Sequence, residues 1–251
     1  MKQIKKLSTA TQSKHASKAA ATYGWTGGAF LSAPGKMPGF TWSLPAGKTC
    51  PAGKASVKLL GDAAICSKCY AKKGNYCFAP VQACQDDRLA FLVASLREDG
   101  GDRWCRAMVA AIQATRKAGG DDWFRVHDSG DLFSVAYINA WADVARELPD
   151  VKFWVPTREW FTSDPRKVDA LRELAKLPNV RVRASALALN EPAPDLDGIG
   201  TGSAVHSNPA RAMRDKVFAC PATIKGWPNT CAENNCTQCW THIDAVSYMA
   251  H

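Results

Sequence analysis

The alternation of short apolar runs with helix-period segments between Asp86 and Ser185 restricts this chain to a mixed fold on parallel strands. Apolar residues recur at helical spacing from Asp86 to Glu98, at Leu89, Leu92, Val93 and Leu96. Asp102 opens a second predicted helix to Lys117, closed by Gly119-Gly120. Trp123–His127 reads as a strand, and Ser134 caps a helix to Leu148. Lys152–Pro156 is the next strand. Ser163-Asp164-Pro165 then starts a helix to Leu177, and Val180–Ala184 is a strand. Phe40–Leu44 supplies a strand ahead of this block, and weaker ones are expected near Ala204–His206 and Val217–Cys220. Such units predict a parallel sheet, rolled by right-handed crossovers into a partial (β/α)6-type, TIM-like barrel.

The flanks differ in composition. Residues 1–22 are polar and Ser/Thr/Lys-rich and read as a flexible basic arm. The barrel is expected over 23–215, with a long cysteine-bearing loop at 50–84. Residues 216–251 form a Cys-rich C-terminal extension.

In parallel barrels the polar residues at the C-terminal ends of strands build the active site. Here those ends are His127-Asp128-Ser129-Gly130-Asp131, Thr157-Arg158-Glu159, Arg183 with Ser185, and His206-Ser207-Asn208. Any one alone is ordinary turn chemistry; four together favour a site. Arg158 and Glu159 are candidates to orient a substrate, and His127 and His206 to move protons. A structural hydrogen bond is the competing role for either histidine.

There are ten cysteines. Cys50, Cys66 and Cys69 form a first group, with Cys77 and Cys84 just beyond. Cys66-Ser67-Lys68-Cys69 is a C-x2-C hook whose thiolates can reach one metal. Three ligands leave one iron of a [4Fe–4S] cluster open; a fourth, from Cys77 or Cys84, would close a structural zinc site. Cys220, Cys231, Cys236 and Cys239 form a second group that suits structural zinc or a second cluster. Cys105 reads as a buried hydrophobe beside Trp104 and Met108. The basic N-terminus lacks the apolar run of a signal peptide, and no stretch reaches about 18 apolar residues. A cytoplasmic location without membrane contact is the expectation, and there clustered cysteines bind metal more often than they pair.

Residues 1–73 hold twelve lysines, one acidic residue (Asp62) and no arginine, whereas the remainder has 20 basic and 22 acidic residues. The excess charge therefore surrounds the first cysteines. It would attract a polyanion such as DNA, or balance a negative thiolate cluster.

Five blocks carry a resemblance: T-C-P-A-G-K, I-C-S-K-C-Y-A-K-K-G, R-V-H-D-S-G-D-L-F-S, V-P-T-R-E, and the terminal C-P-A with C-x-x-C-W. They resemble the phage gene product 88 family and, more distantly, the three-cysteine phage proteins and the radical S-adenosylmethionine (SAM) superfamily. The resemblance implies a [4Fe–4S] cluster on Cys50, Cys66 and Cys69, with SAM chelating the open iron. Ser129-Gly130-Asp131 would take the place of the turn that meets the SAM amino group. Thr157, Arg158 and Ser185 would meet its carboxylate or ribose. Tyr70 follows the last cysteine, where the superfamily has an aromatic before it; the first cysteine gap is fifteen residues rather than three. The C-terminal cysteines resemble auxiliary-cluster extensions. The implied activity is generation of a 5′-deoxyadenosyl radical that modifies or isomerises a substrate, such as a hypermodified base in DNA, fed by an external electron donor. The alternative is a zinc-stabilised, non-enzymatic nucleic-acid binder.

Overall fold

The computed structural model describes residues 6–241 and 245–250. The chain opens with a helix, Thr9–Ala21 (α1), then strand Phe40–Trp42 (β1) and helix Pro51–Leu60 (α2). Four short 3-10 turns carry it from Gly61 to Cys77. Helices Ala79–Glu98 (α3) and Asp102–Lys117 (α4) lead to strand Trp123–Val126 (β2). Then come Val135–Glu147 (α5), Lys152–Thr157 (β3), Pro165–Ala175 (α6) and Val180–Ala184 (β4). A small hairpin, Asp195–Leu196 (β5) with Gly200–Thr201 (β6), precedes Ser203–His206 (β7), Pro209–Arg214 (α7), Phe218–Ala219 (β8) and Val246–Met249 (β9).

The first four strands form one parallel sheet in chain order, with Phe40 beside Phe124, Phe124 beside Phe153 and Phe153 beside Val180. Alternate side chains point to opposite faces. One face, with Phe124, Val126, Phe153, Val155 and Val182, packs into a core with Trp104 and Met108 of α4 and Tyr137 and Trp141 of α5. Each large side chain buried there contributes about 1.5–3 kcal/mol. The other face carries Trp123, Arg125, Trp154 and Arg183. It is covered by the C-terminal segment through a second cluster of Trp154, Cys220, Cys239, Trp240 and Val246.

The partial (β/α)6-type, TIM-like barrel expected from the alternation is not what the strands form. The sheet is open, and among the described residues an isolated bridge, Ser185 to Ser203, joins the end of β4 to a separate three-stranded parallel sheet ordered β7-β9-β8. The reason lies after β4. Residues 186–202 hold the β5–β6 hairpin instead of a crossover helix, so no βαβ unit carries the sheet onward.

Two stretches expected to be irregular are helical. In the arm, Ser8 caps α1 by accepting from Thr11 N, and Gln12, Ala16 and Ala20 form a buried stripe against α4. Gln12 Nε2 donates to Leu7 O at 3.0 Å and Ala118 O at 3.4 Å. Alanine and serine gave this helix no apolar period to read. In the cysteine loop, Pro51 opens α2 and Pro80 lies in the first turn of α3, which begins seven residues before Asp86.

Candidate functional site

All four parallel strands deliver their C-terminal ends to one edge, and Cys50 caps α2 beside that edge. Gly53, in the first turn of α2, lets the cysteines close up. A Cβ there would lie 3.1 Å from Cys66 Sγ and 3.4 Å from Cys50 Cβ. Cys50, Cys66 and Cys69 are all free thiols, half-buried and close enough to sense one another's charge. Burial pushes the Cys50 thiol up to about 12, with Asp131 and the thiols of Cys66 and Cys69 adding to the rise. Burial likewise raises Cys66, opposed by the Arg158 guanidinium. Desolvated thiols of this kind ionise when a cation binds them and releases their protons. Cys77 and Cys84 point elsewhere: their Sγ atoms lie 3.3 Å from Lys72 O and 3.1 Å from Ala29 O. Cys105 packs beside the core, its Sγ 3.2 Å from Ala140 O.

Ser129, Gly130 and Asp131 grip the chain that leads into Cys50. Ser129 Oγ donates to Leu44 O at 2.8 Å, and Leu44 N donates to Ser129 O at 2.9 Å. Asp131 N donates to Thr49 O at 3.2 Å. The buried Asp131 carboxylate accepts from Leu132 N (2.8 Å), Thr157 Oγ1 (2.6 Å) and Arg158 N (3.0 Å). Burial still pushes its carboxyl up. Thr157 is wholly engaged, since its Oγ1 also accepts from Glu159 N at 3.0 Å.

Glu159 is fully buried and caps α2 from across the sheet. One oxygen accepts from Ala52 N at 3.0 Å; the other meets Lys167 Nζ at 2.5 Å. Burial, with Asp131 behind it, lifts Glu159 to about 7. A carboxylate so enclosed positions the cysteine helix and does not reach a substrate. Arg158 differs. Its Nε donates to Ala186 O at 3.1 Å, and its terminal nitrogens make no hydrogen bond within the described residues.

The second cysteine group gathers on the covered face of the sheet. Cys220, Cys231, Cys236 and Cys239 line one small cavity with Trp240 and Val246. Burial pushes Cys220 to about 12 and Cys231 to about 11, and their neighbouring thiols add to both. Arg183, fully buried, fastens this segment by donating to Cys239 O (3.2 Å), Gln238 O (3.1 Å) and Thr241 O (3.3 Å). Trp240 Nε1 donates to Phe124 O at 3.0 Å. Among the described residues no three His, Cys, Asp or Glu side chains are set to hold a single metal ion as they stand. Tetrahedral zinc needs its thiolates about 3.8 Å apart; a four-iron cluster, with each thiolate on a different iron, needs wider spacing.

The remaining predicted residues lie apart. His127 turns at φ +73° to meet Tyr137 Oη at 2.7 Å, and burial, with Arg125 nearby, pushes it down to about 3. Its ring is enclosed under α5, against Tyr137 and Trp141. His206 is enclosed in the second sheet, between Ser247 Oγ at 2.6 Å and Asp215 Oδ2 at 2.9 Å; Ser247 is itself fully buried, so this trio is structural. Ser185 Oγ accepts from Ser203 Oγ at 3.3 Å, where the two sheets join. Tyr70 is exposed, but its hydroxyl is tied to Asp128 O and accepts from Arg125 at 3.3 Å.

Sequence reasoning missed Gly53 and Lys167, and placed Asp128 at a strand end without giving it a role. Asp128 accepts from Ser43 Oγ and from Tyr76 Oη at 3.0 Å, pinning the cysteine loop to the end of β2. Gly53 was hidden because its segment reads as a loop; only inside a helix, where glycine costs about 1 kcal/mol, does it ask for a packing reason.

The family model described as gene product 88 matches residues 2–242. The chain belongs to the gene product 88 family. Two curated relatives, the gene 88 proteins of Mycobacterium phage L5 and Mycobacterium phage D29, are 37% and 38% identical over 68 residues. The match spans 20% of this chain and about 28% of each relative's length. No solved structure matches. No helix among the described residues of this gene product 88 member is long and apolar enough to cross a membrane.

Proposed function

We propose that this gene product 88 chain is a radical SAM-type iron–sulfur enzyme acting on a nucleic-acid base, with its catalytic cluster on Cys50, Cys66 and Cys69. The observation that carries the reading is the packing of Cys50 and Cys66 against a bare glycine where the parallel strands end. Burial of the free Cys50 and Cys66 thiols, each also sensing the charge of Cys69, supports it further. When bound and reduced, such a cluster supplies the electron for reductive cleavage of the SAM C5′–S bond, drawn from an external donor.

The chain's own residues would do the positioning. Arg158, with its uncommitted guanidinium edge beside Cys66, would receive a carboxylate. Asp131 keeps one acceptor position of its four for an ammonium. Glu159 and Lys167 hold the first turn of α2, and with it Cys50. The C-terminal thiols would form a second, closed centre against the inner sheet face.

Anaerobic reconstitution tests the proposal. The expected product is brown, holds iron and sulfide, and releases 5′-deoxyadenosine when reduced with SAM. Cys66→Ala should remove one cluster's worth of iron. A colourless protein carrying stoichiometric zinc would favour a non-enzymatic nucleic-acid binder, a reading that the four-thiol C-terminal cavity itself supports.

A further inference from the structure

The surface around the first cysteine group has a composition unlike the rest of the chain. Lys48, Lys54, Lys58, Lys68, Lys72 and Lys73 are all exposed, and Asp62 is the one acidic residue between 45 and 78. Lys48 pairs with Asp86 at 2.7 Å. The other five lysines make no ion pair among the described residues. Lys72 lies over the turn before Cys50, its Cε 3.6 Å from where a Cβ on Gly47 would stand. The same stretch of chain presents large apolar groups to water: Leu59 at 67% exposure, Phe78 at 60% and Tyr70 at 55%. The Tyr70 ring is not loose. Its hydroxyl is held by Asp128 O and Arg125, and its ring meets Tyr76 edge-on at 5.8 Å.

We propose that this lysine-rimmed, aromatic surface binds a single strand of nucleic acid and feeds one base to the strand-end site. The inference deepens the reading above, on which it rests for the placing of that base. Unpaired lysines match a phosphate backbone. Aromatic faces on the same surface match unstacked bases, whose π-faces a duplex keeps hidden. A ring already held in place loses little freedom when a base stacks on it.

The test is a fluorescence-anisotropy titration of the full chain with a labelled oligodeoxynucleotide of about twelve nucleotides, within the ~4–16 that one single-strand groove covers. The same sequence as duplex and as RNA forms the other arms. The single strand should bind about tenfold more tightly than its duplex at equal salt, and the RNA arm identifies which strand chemistry is preferred. Phe78→Ala should weaken single-strand binding about tenfold, the worth of one stacked base, without changing the salt slope. Lys72→Gln with Lys73→Gln should lower that slope by about 1.4, at ~0.7 for each single-strand phosphate. All three side chains are exposed, and matching thermal melts verify that the variants fold. Protection of Lys68, Lys72 and Lys73 from acylation by bound strand gives an independent readout. Equal affinity for strand and duplex, or Phe78→Ala within about twofold of the parent, overturns the proposal. Iron content measured on the same samples separates it from the cluster reading. Strand preference in protein that takes up no iron sinks the cluster alone; iron uptake without strand preference sinks the surface alone.

Discussion

Gly130 stands at φ +87°, and a Cβ there would lie 2.7 Å from both Leu44 Cβ and Thr49 Oγ1. Left-handed strain and the clash act together, so Gly130→Ala should cost about 2–5 kcal/mol, read as a lower urea midpoint. His127 makes a pH prediction. Its ordinary value of 6.5 falls to about 3 in the fold, because burial disfavours the imidazolium. Between those values the unfolded chain binds a proton that the native chain does not. Stability from this group is therefore complete above pH 6.5 and is lost as pH falls towards 3, by up to about 5 kcal/mol. His127→Asn, which tolerates the left-handed backbone, should flatten that limb in urea melts across the acid range. The residue types at this edge were legible: Asp131, Arg158 and Glu159 do converge beside Cys50. Their roles were not. Glu159 was expected to orient a substrate and instead caps α2, because the partners that enclose it, Ala52 and Lys167, come from two other helices.

Elements with strong start signals were readable. Asp164 caps α6 ahead of Pro165, and Ser134 caps α5 by accepting from Tyr137 N at 3.2 Å. α2 was not readable, since Pro51, Gly53 and two flanking cysteines imitate a loop, and a carboxylate from β3's end completes its first turn. Glu159→Gln should leave Lys167 as a buried, uncompensated charge and cost about 3–5 kcal/mol. Restoring part of it with Lys167→Met in the same chain, measured by thermal melting, would verify the pairing. α1 also escaped notice, for lack of large apolar residues. Its Ala16 and Ala20 are fully buried, so Ala16→Leu should overpack the α1–α4 contact by about 1–3 kcal/mol. A mobile arm would show no such loss.

At the scale of the whole molecule, one sheet has two differently made faces. Helices cover the first, and the C-terminal cysteine segment covers the second through Arg183, Trp240 and the thiol-lined cavity. Arg183→Leu should free that segment while sparing the helices. Thiol-reagent labelling of Cys220, Cys231, Cys236 and Cys239 should quicken at least about tenfold, a loss of ~1.4 kcal/mol or more in local closure, with far-ultraviolet circular dichroism nearly unchanged.

Local patterning by itself determined the parallel α/β class, the strands that became β1 to β4 and the two cysteine groups, because periodicity, caps and C-x2-C hooks act over a few residues. Closure was decided only in three dimensions. Whether a sheet rolls into a barrel depends on how the chain continues beyond its last strand, and here a hairpin and a cysteine segment take the space that further βαβ units would fill. Tertiary contact also decided which polar groups stay available. Burial closed off Thr157, Glu159, His127 and His206, and left Arg158 half-buried and the lysines between 48 and 73 exposed.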